Sequence, residues 1–138
     1  MINVRIVAPD REVFSGAAES LRAPGLEGSF QVLTGHAPMI AAIETGPLFV
    51  EPEGSGRIAF ATSGGFVEVL NDEVTVLAET AEPADEIDED RAREAEERAQ
   101  RRLEESDLDA EERERYEAAL ERARNRLRLA MGDVAAQR

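Results

Sequence analysis

Residues 65–92, GFVEVLNDEVTVLAETAEPADEIDEDRA, carry two different periodicities on either side of Pro83. Before it, GFVEVL and EVTVLA are short apolar runs separated by the turn signal Asn71-Asp72. Strand side chains alternate, so Val74, Val76 and Ala78 point one way and Glu73, Thr75 and Leu77 the other. Through AETAEPADEID the composition turns acidic, Pro83 is a natural boundary, and Asp85 is a candidate N-cap for a helix beyond it. From Ile87 onward there is no Gly or Pro until Gly132, and the pattern becomes helical.

Upstream, INVRIVA, GSFQVL, GPLFV and GRIAFA repeat the strand pattern, punctuated by Pro24-Gly25, Gly35, Gly46-Pro47, Gly54 to Gly56 and Gly64-Gly65. Short strands with turn signals at this spacing predict an antiparallel β-sandwich or barrel over residues 1–83. Downstream, Ala92, Ala95, Ala99 and Leu103 form one helical stripe, and Tyr116, Leu120, Ala123, Leu127 and Met131 another. SDLDAEE breaks the pattern between them, with Ser106, Asp107 or Asp109 capping the second helix. The fold class is therefore β + α: a sandwich, then an antiparallel two-helix hairpin over residues 84–138. The first helix's seam is mostly alanine, which buries little surface at about 25 cal/mol per Å2. Such a hairpin is either easily shifted by a ligand or partner, or permanently folded and solvent-washed.

Composition removes several functions. The 138 residues hold 30 acidic and 16 basic side chains, a formal charge of -14 that repels nucleic acid and anionic lipid. Every basic residue is Arg, so no lysine serves a P-loop, a Schiff base or a general base. Without cysteine there is no thiol nucleophile, disulfide or thiolate metal site. No apolar run approaches the ~18 to 20 residues of a membrane span, and MINVRIVAPD lacks a signal-peptide core, so a soluble, unprocessed chain is expected.

The lone histidine sits in Gly35-His36-Ala37-Pro38 without a nucleophile, a second His or a nearby carboxylate at ligand spacing. It is expected to shape a loop, with no catalytic residue and no metal in the chain. The Gly64-Gly65 doublet lacks the Lys-Ser/Thr of a phosphate loop and is expected to be a turn into a strand.

Phe14-Ser15-Gly16, Glu27-Gly28, the GHAP turn, Gly64-Gly65-Phe66-Val67-Glu68-Val69 and Val74-Thr75-Val76-Leu77-Ala78, followed by an acidic hairpin, resemble the epsilon subunit of F-type ATP synthases across nearly the whole chain. The resemblance implies a non-catalytic rotor subunit that needs no cofactor and has ATP as a regulator. Its sandwich would bind the gamma subunit and sit on the c-ring, and its hairpin would regulate the catalytic alpha/beta head. It would be a peripheral protein at the cytoplasmic face of the bacterial inner membrane, without direct membrane insertion. Ser29, His36 and Pro38 would face the c-ring. Ser29, Gln31 and Thr34 replace the acidic residue, second glycine and proline common in the family, so no specific charged ring contact carries over.

Ile87-Asp88-Glu89-Asp90-Arg91-Ala92 matches the family's Ile/Leu-Asp-x-x-Arg-Ala motif, which is associated with ATP binding. By that resemblance the ATP site comprises Glu82, Ile87, Asp88, Arg91, Ala92, Arg98, Arg122 and Arg126. Arg91 and Arg98 are seven apart and Arg122 and Arg126 four apart, so each pair shares a helix face. A turn near residues 107 and 108 would set residue i against roughly 215 minus i, with Arg91 opposite Arg124. Converging guanidiniums repel unless an anion joins them. Alternatively, pairs such as Glu94 with Arg98 or Glu121 with Arg124 are surface ion pairs. Two other functions compete with the rotor subunit: a stand-alone β-domain and hairpin adaptor, and a small enzyme centred on His36.

Overall fold

The computed structural model describes residues 1–132, so the last six residues of the expected 84–138 hairpin lie outside the described residues. The chain divides into two compact units, Met1–Ala84 and a second from Asp85 onward.

The first unit holds seven strands: β1 (Ile2–Ala8), β2 (Arg11–Gly25), β3 (Gly28–Val32), β4 (Met39–Ile43), β5 (Gly46–Pro52), β6 (Ile58–Leu70) and β7 (Glu73–Pro83). They form one continuous sheet folded on itself in the manner of a sandwich, ordered β1-β7-β6-β4-β2-β3, with β5 pairing both β2 and β6 and β1 also pairing β2. The pairings are antiparallel, as expected, with the single exception of β1 with β7, which is parallel. Inward alternation builds the core: Ile2, Val4 and Ile6 from β1 meet Leu21, Leu48, Phe60, Val67 and Val76. Each fully buried aliphatic or phenyl side chain contributes about 1.5 to 3 kcal/mol. Phe60 is also met edge-on by Phe14, with ring centroids 6.0 Å apart. On β7 the alternation is as the sequence implies, with Val74, Val76 and Ala78 buried and Glu73 and Leu77 exposed.

Two strands carry little sequence signal. Small residues dominate β2, whose inward positions include Ala18, Ser20 and Ala23, and β4 is the five-residue MIAAI. The expected turn at Gly64-Gly65 is a correction of a different kind: GRIAFA and GFVEVL belong to one strand, β6. Its first half pairs with β5 from Ile58 to Thr62 and its second half with β4 from Gly65 to Val69. The doublet, at φ +67 and +130, lets β6 pass from one neighbour to the other. A Cβ on Gly65 would collide with the Leu77 carbonyl oxygen.

A 3-10 turn, Ala84–Glu86, spans the boundary, and the second unit contains α1 (Glu89–Leu103) and α2 (Ala110–Ala130). Asp85 lies in the 3-10 turn, and the N-cap of α1 is Asp88, whose carboxylate accepts the Arg91 N–H at 3.1 Å. Asp109 caps α2, and a reciprocal bond from its own N–H to Glu112 completes a capping box. Gly132, at φ +78, closes α2 by donating its N–H to the Leu129 carbonyl.

Gly65→Ala should destabilise the full chain by about 2 kcal/mol or more, through the backbone collision and the left-handed φ. Gly56→Ala, which meets open space, should stay within about 0.5 kcal/mol of wild type. Urea unfolding followed by strand circular dichroism distinguishes these outcomes, and equal midpoints for the two variants would contradict the crossing assigned to β6.

Candidate functional site

Among the described residues of the helical unit few side chains are buried: Ala92 and Ala99 on α1, and Ala123, Asn125 and Leu129 on α2. The first stripe matches expectation at Ala92 and Ala99. On α2 the expected Met131 is exposed, while Leu129 and the polar Asn125 are buried off the stripe. The inter-helix register also differs. Glu96 on α1 accepts from the Nε of Arg124 on α2 at 3.2 Å, and the Arg102 guanidinium lies 4.9 Å from the Tyr116 ring centroid. Each partner stands about one turn further along α2 than a turn at residues 107 and 108 implies. The connection runs from Glu104 to Asp109, and the first turn of α2 projects past the end of α1. Arg124 therefore faces Glu96 instead of Arg91, and it reaches across the hairpin in place of the expected local pair with Glu121.

The observed register brings Arg98 level with Arg122, and Arg91 within a turn of Arg126. At about 100° per residue, Arg91 and Arg98 stand about 100° to 120° around α1 from Ala92. Arg122 and Arg126 stand about 60° to 100° around α2 from Ala123, in the same rotational sense. In an antiparallel pair, equal senses fall on the same flank. Glu96 and Arg124 are displaced the other way on both helices, and these two meet. The four arginines thus line one flank and the Glu96–Arg124 pair the other. Arg91, Arg98 and Arg122 are exposed and Arg126 is half-buried. Ala92 is fully buried, Ile87 is half-buried between the 3-10 turn and α1, and Asp88 is engaged as the cap. Glu82 belongs to the first unit, half-buried in β7 opposite Ala61.

Sequence reasoning missed a cluster at the far end of the same flank. The guanidiniums of Arg102 and Arg115 lie 4.9 and 5.3 Å from the ring centroid of Tyr116. Hydrogen bonds, from Arg102 foremost and then Arg115, hold the Tyr116 phenol below its ordinary range, and the same bond raises Arg102. The signal available was Tyr116 itself, the only tyrosine, next in sequence to an arginine.

In the first unit, Ser29 is exposed on β3 opposite Pro24, and the His36 loop is a hydrogen-bonded turn. The His36 N–H donates to the Leu33 carbonyl at 3.1 Å, and its Nδ1 lies 2.7 Å from the Ala37 carbonyl oxygen, which holds the ring against its own loop. Pro38 is exposed and leads into β4. Elsewhere an apolar groove of about 580 Å3 opens between Pro9, Leu26, Ala42, Phe66 and Leu77, with Glu79 at its edge. Phe66 and Leu77 are 54% and 53% exposed although they pair directly across β6 and β7, an apolar patch on an outward face.

Residues 1–84 match the family described as ATP synthase, Delta/Epsilon chain, beta-sandwich domain, and residues 85–131 match its long alpha-helix domain. The chain belongs to the ATP synthase delta/epsilon family. Among its relatives, the ATP synthase epsilon chain of Salinibacter ruber is 57% identical over 141 residues, covering 96% of this chain and 94% of the relative. That of Acaryochloris marina is 42% identical over 134 residues, with 96% of each chain covered. A chain in the cryo-EM structure of the Euglena gracilis mitochondrial ATP synthase, solved as OSCP/F1/c-ring in rotational state 1, superposes with a TM-score of 0.79 at 26% identity. The superposition covers 99% of this chain and 81% of that one. A chain of the Tetrahymena thermophila central stalk and c-ring shares the fold, with a TM-score of 0.65, 16% identity and coverage of 94% and 96%. As an ATP synthase epsilon-type chain, it has no helix among the described residues long and apolar enough to cross a membrane.

Tyr116 should titrate below the phenol of the unfolded chain. A depressed folded value means that Tyr116 adds stability above the unfolded pKa and loses it as pH falls through the folded one. With one Tyr and no Trp, tyrosinate absorbance reports this group alone. The midpoint should lie below that measured in denaturant, and Arg102→Ala should raise it. Coincident midpoints in all three samples would contradict the cluster.

Proposed function

We propose that the chain is a non-catalytic rotor subunit of an F-type ATP synthase that joins the gamma subunit to the c-ring and restrains ATP hydrolysis through a hairpin whose compact form binds ATP. Its place is peripheral, at the cytoplasmic face of a bacterial inner membrane. Family membership supports the rotor role, and relatives solved with F1 and a c-ring or in a central stalk support the partners. The exposed Phe66 and Leu77 groove offers gamma an apolar surface, and the loop carrying His36 and Pro38, with Ser29 on β3, faces the ring.

The observation that carries the regulatory reading is the hairpin's own asymmetry. Among the described residues its buried side chains are mostly alanine, while four arginines line one flank. The apolar contribution to closure is small, and an anion that joins guanidiniums of both helices favours the closed form. A ligand that binds only the closed form, at 100 times its Kd, stabilises that form by about 2.7 kcal/mol, enough to move an opening equilibrium of this kind. Arg91, Arg98, Arg122 and Arg126 hold the phosphates, near the positive end of the α1 dipole. Ile87 and Asp88 recognise the base or ribose, and Ala92 allows close approach. Extension separates the two helices and disperses the site, so falling ATP frees the hairpin to reach the catalytic head.

Calorimetry on the isolated chain should show heat of binding at millimolar ATP that disappears in the Arg91→Ala, Arg126→Ala double variant. Equal heats in both proteins, or none in wild type, would remove ATP from the regulation of the hairpin. In the assembled enzyme, deleting residues 85–138 should raise ATP hydrolysis. Unchanged hydrolysis at every nucleotide concentration would exclude the brake.

A further inference from the structure

The turn between β6 and β7 and the loop between β3 and β4 are far apart in sequence and tied together in space. Leu70 pairs with Glu73, leaving Asn71 and Asp72 as a two-residue turn at φ 50 and 64, the left-handed geometry that Asn and Asp tolerate best among non-glycine residues. Asp72 is bonded twice. Its carbonyl accepts the Asn3 N–H of β1 at 2.8 Å, and its carboxylate Oδ1 accepts the Gly35 N–H at 2.8 Å, directly ahead of His36. The first bond fixes the turn to the sheet and the second fixes the loop to the turn. The β4–β6 register sets Met39 opposite Val69, so Pro38 arrives level with Leu70. Around this junction Leu33 and Leu70 are each 51% exposed and Ile40 is 72% exposed.

We infer that Asp72 is the positioning residue of the His36 loop, and that the surface seated on the membrane ring is a two-loop surface, in which the β6–β7 turn with Leu70 joins the 33–38 loop. This rests on the ring-facing role proposed for that loop. Gly35 stands at φ +83, a conformation open to a glycine on many alternative paths, so the chain there needs an external anchor to present one geometry. A backbone N–H bonded to a carboxylate is a charge-assisted contact, stronger than a neutral bond of the same length. His36 and Pro38 inherit their position from it.

The test compares wild type, Asp72→Ala and Asp72→Asn in the full-length chain, since Asn keeps the acceptor oxygen and the turn geometry. By NMR, the Gly35 amide should exchange about tenfold faster in Asp72→Ala, with Asn restoring most of the protection. In enzyme reassembled with gamma and the ring, Asp72→Ala should lower ATP-driven proton pumping relative to hydrolysis while gamma binding stays at the wild-type level, and Asp72→Asn should restore pumping. Unchanged Gly35 exchange in Asp72→Ala would overturn the positioning role. A loosened loop with wild-type pumping would overturn the two-loop surface and leave the proposed function standing. A wild-type chain that binds gamma but contributes nothing to pumping would overturn both.

Discussion

The sandwich depends on the passage of one strand, β6, between two partners. It pairs with β7 along most of its length, with β5 at its first half and with β4 at its second, so the sheet's continuity runs through the Gly64-Gly65 doublet. At Gly65 a side chain would strike the Leu77 carbonyl, which makes glycine a steric requirement. The crossing also fixes what lies outside. It sets Phe66 beside Leu77 on the outward face and delivers Leu70 to the end of the unit where Asp72 holds the His36 loop. One backbone constraint therefore serves both of the sandwich's candidate contact surfaces.

The helical unit is held together by other means. Its helices are well terminated, with Asp88 and a complete Asp109–Glu112 capping box at their N-termini, so each helix is locally favourable. Among the described residues, the contacts between them include mostly small buried side chains, the Glu96–Arg124 pair on one flank and the Arg102–Tyr116 contact on the other. Exposed ion pairs contribute about 1 kcal/mol or less each. Helices that persist while their packing yields would suit the regulatory arm proposed above, in which the arginine flank would let a polyphosphate favour the packed form.

Much of this was legible in the sequence, for physical reasons that also explain the gaps. Alternation in EVTVLA identified the buried face of β7 because large aliphatic residues alternate there with polar ones. The same reasoning failed on β2, where Ala18, Ser20 and Ala23 fill a tight interior without a hydropathy signal. Gly64-Gly65 looked like punctuation because a glycine pair marks a turn and a strand crossing equally well. Asp85 and Asp88 are chemically equivalent caps, and only the position of the first helical N–H groups chose between them. Helix periodicity put the arginines on common faces, but the register between helices depends on the connection's path, which shifted every cross-helix pair by about a turn. The Asp72 anchor was invisible, since its partner Gly35 is 37 positions away.

A sandwich locked by its crossing strand should be more stable than two helices joined by small buried side chains and exposed ion pairs, and the proposed anion control requires the hairpin to open by itself. Amide hydrogen exchange on the full chain, with and without millimolar ATP, measures this residue by residue. Amides of α1 and α2 should exchange through a local opening far more frequent than that of β1, β6 and β7, and ATP should slow exchange in the helices while leaving the strands unchanged. Equal protection in helices and strands, or ATP slowing both alike, would contradict these expectations.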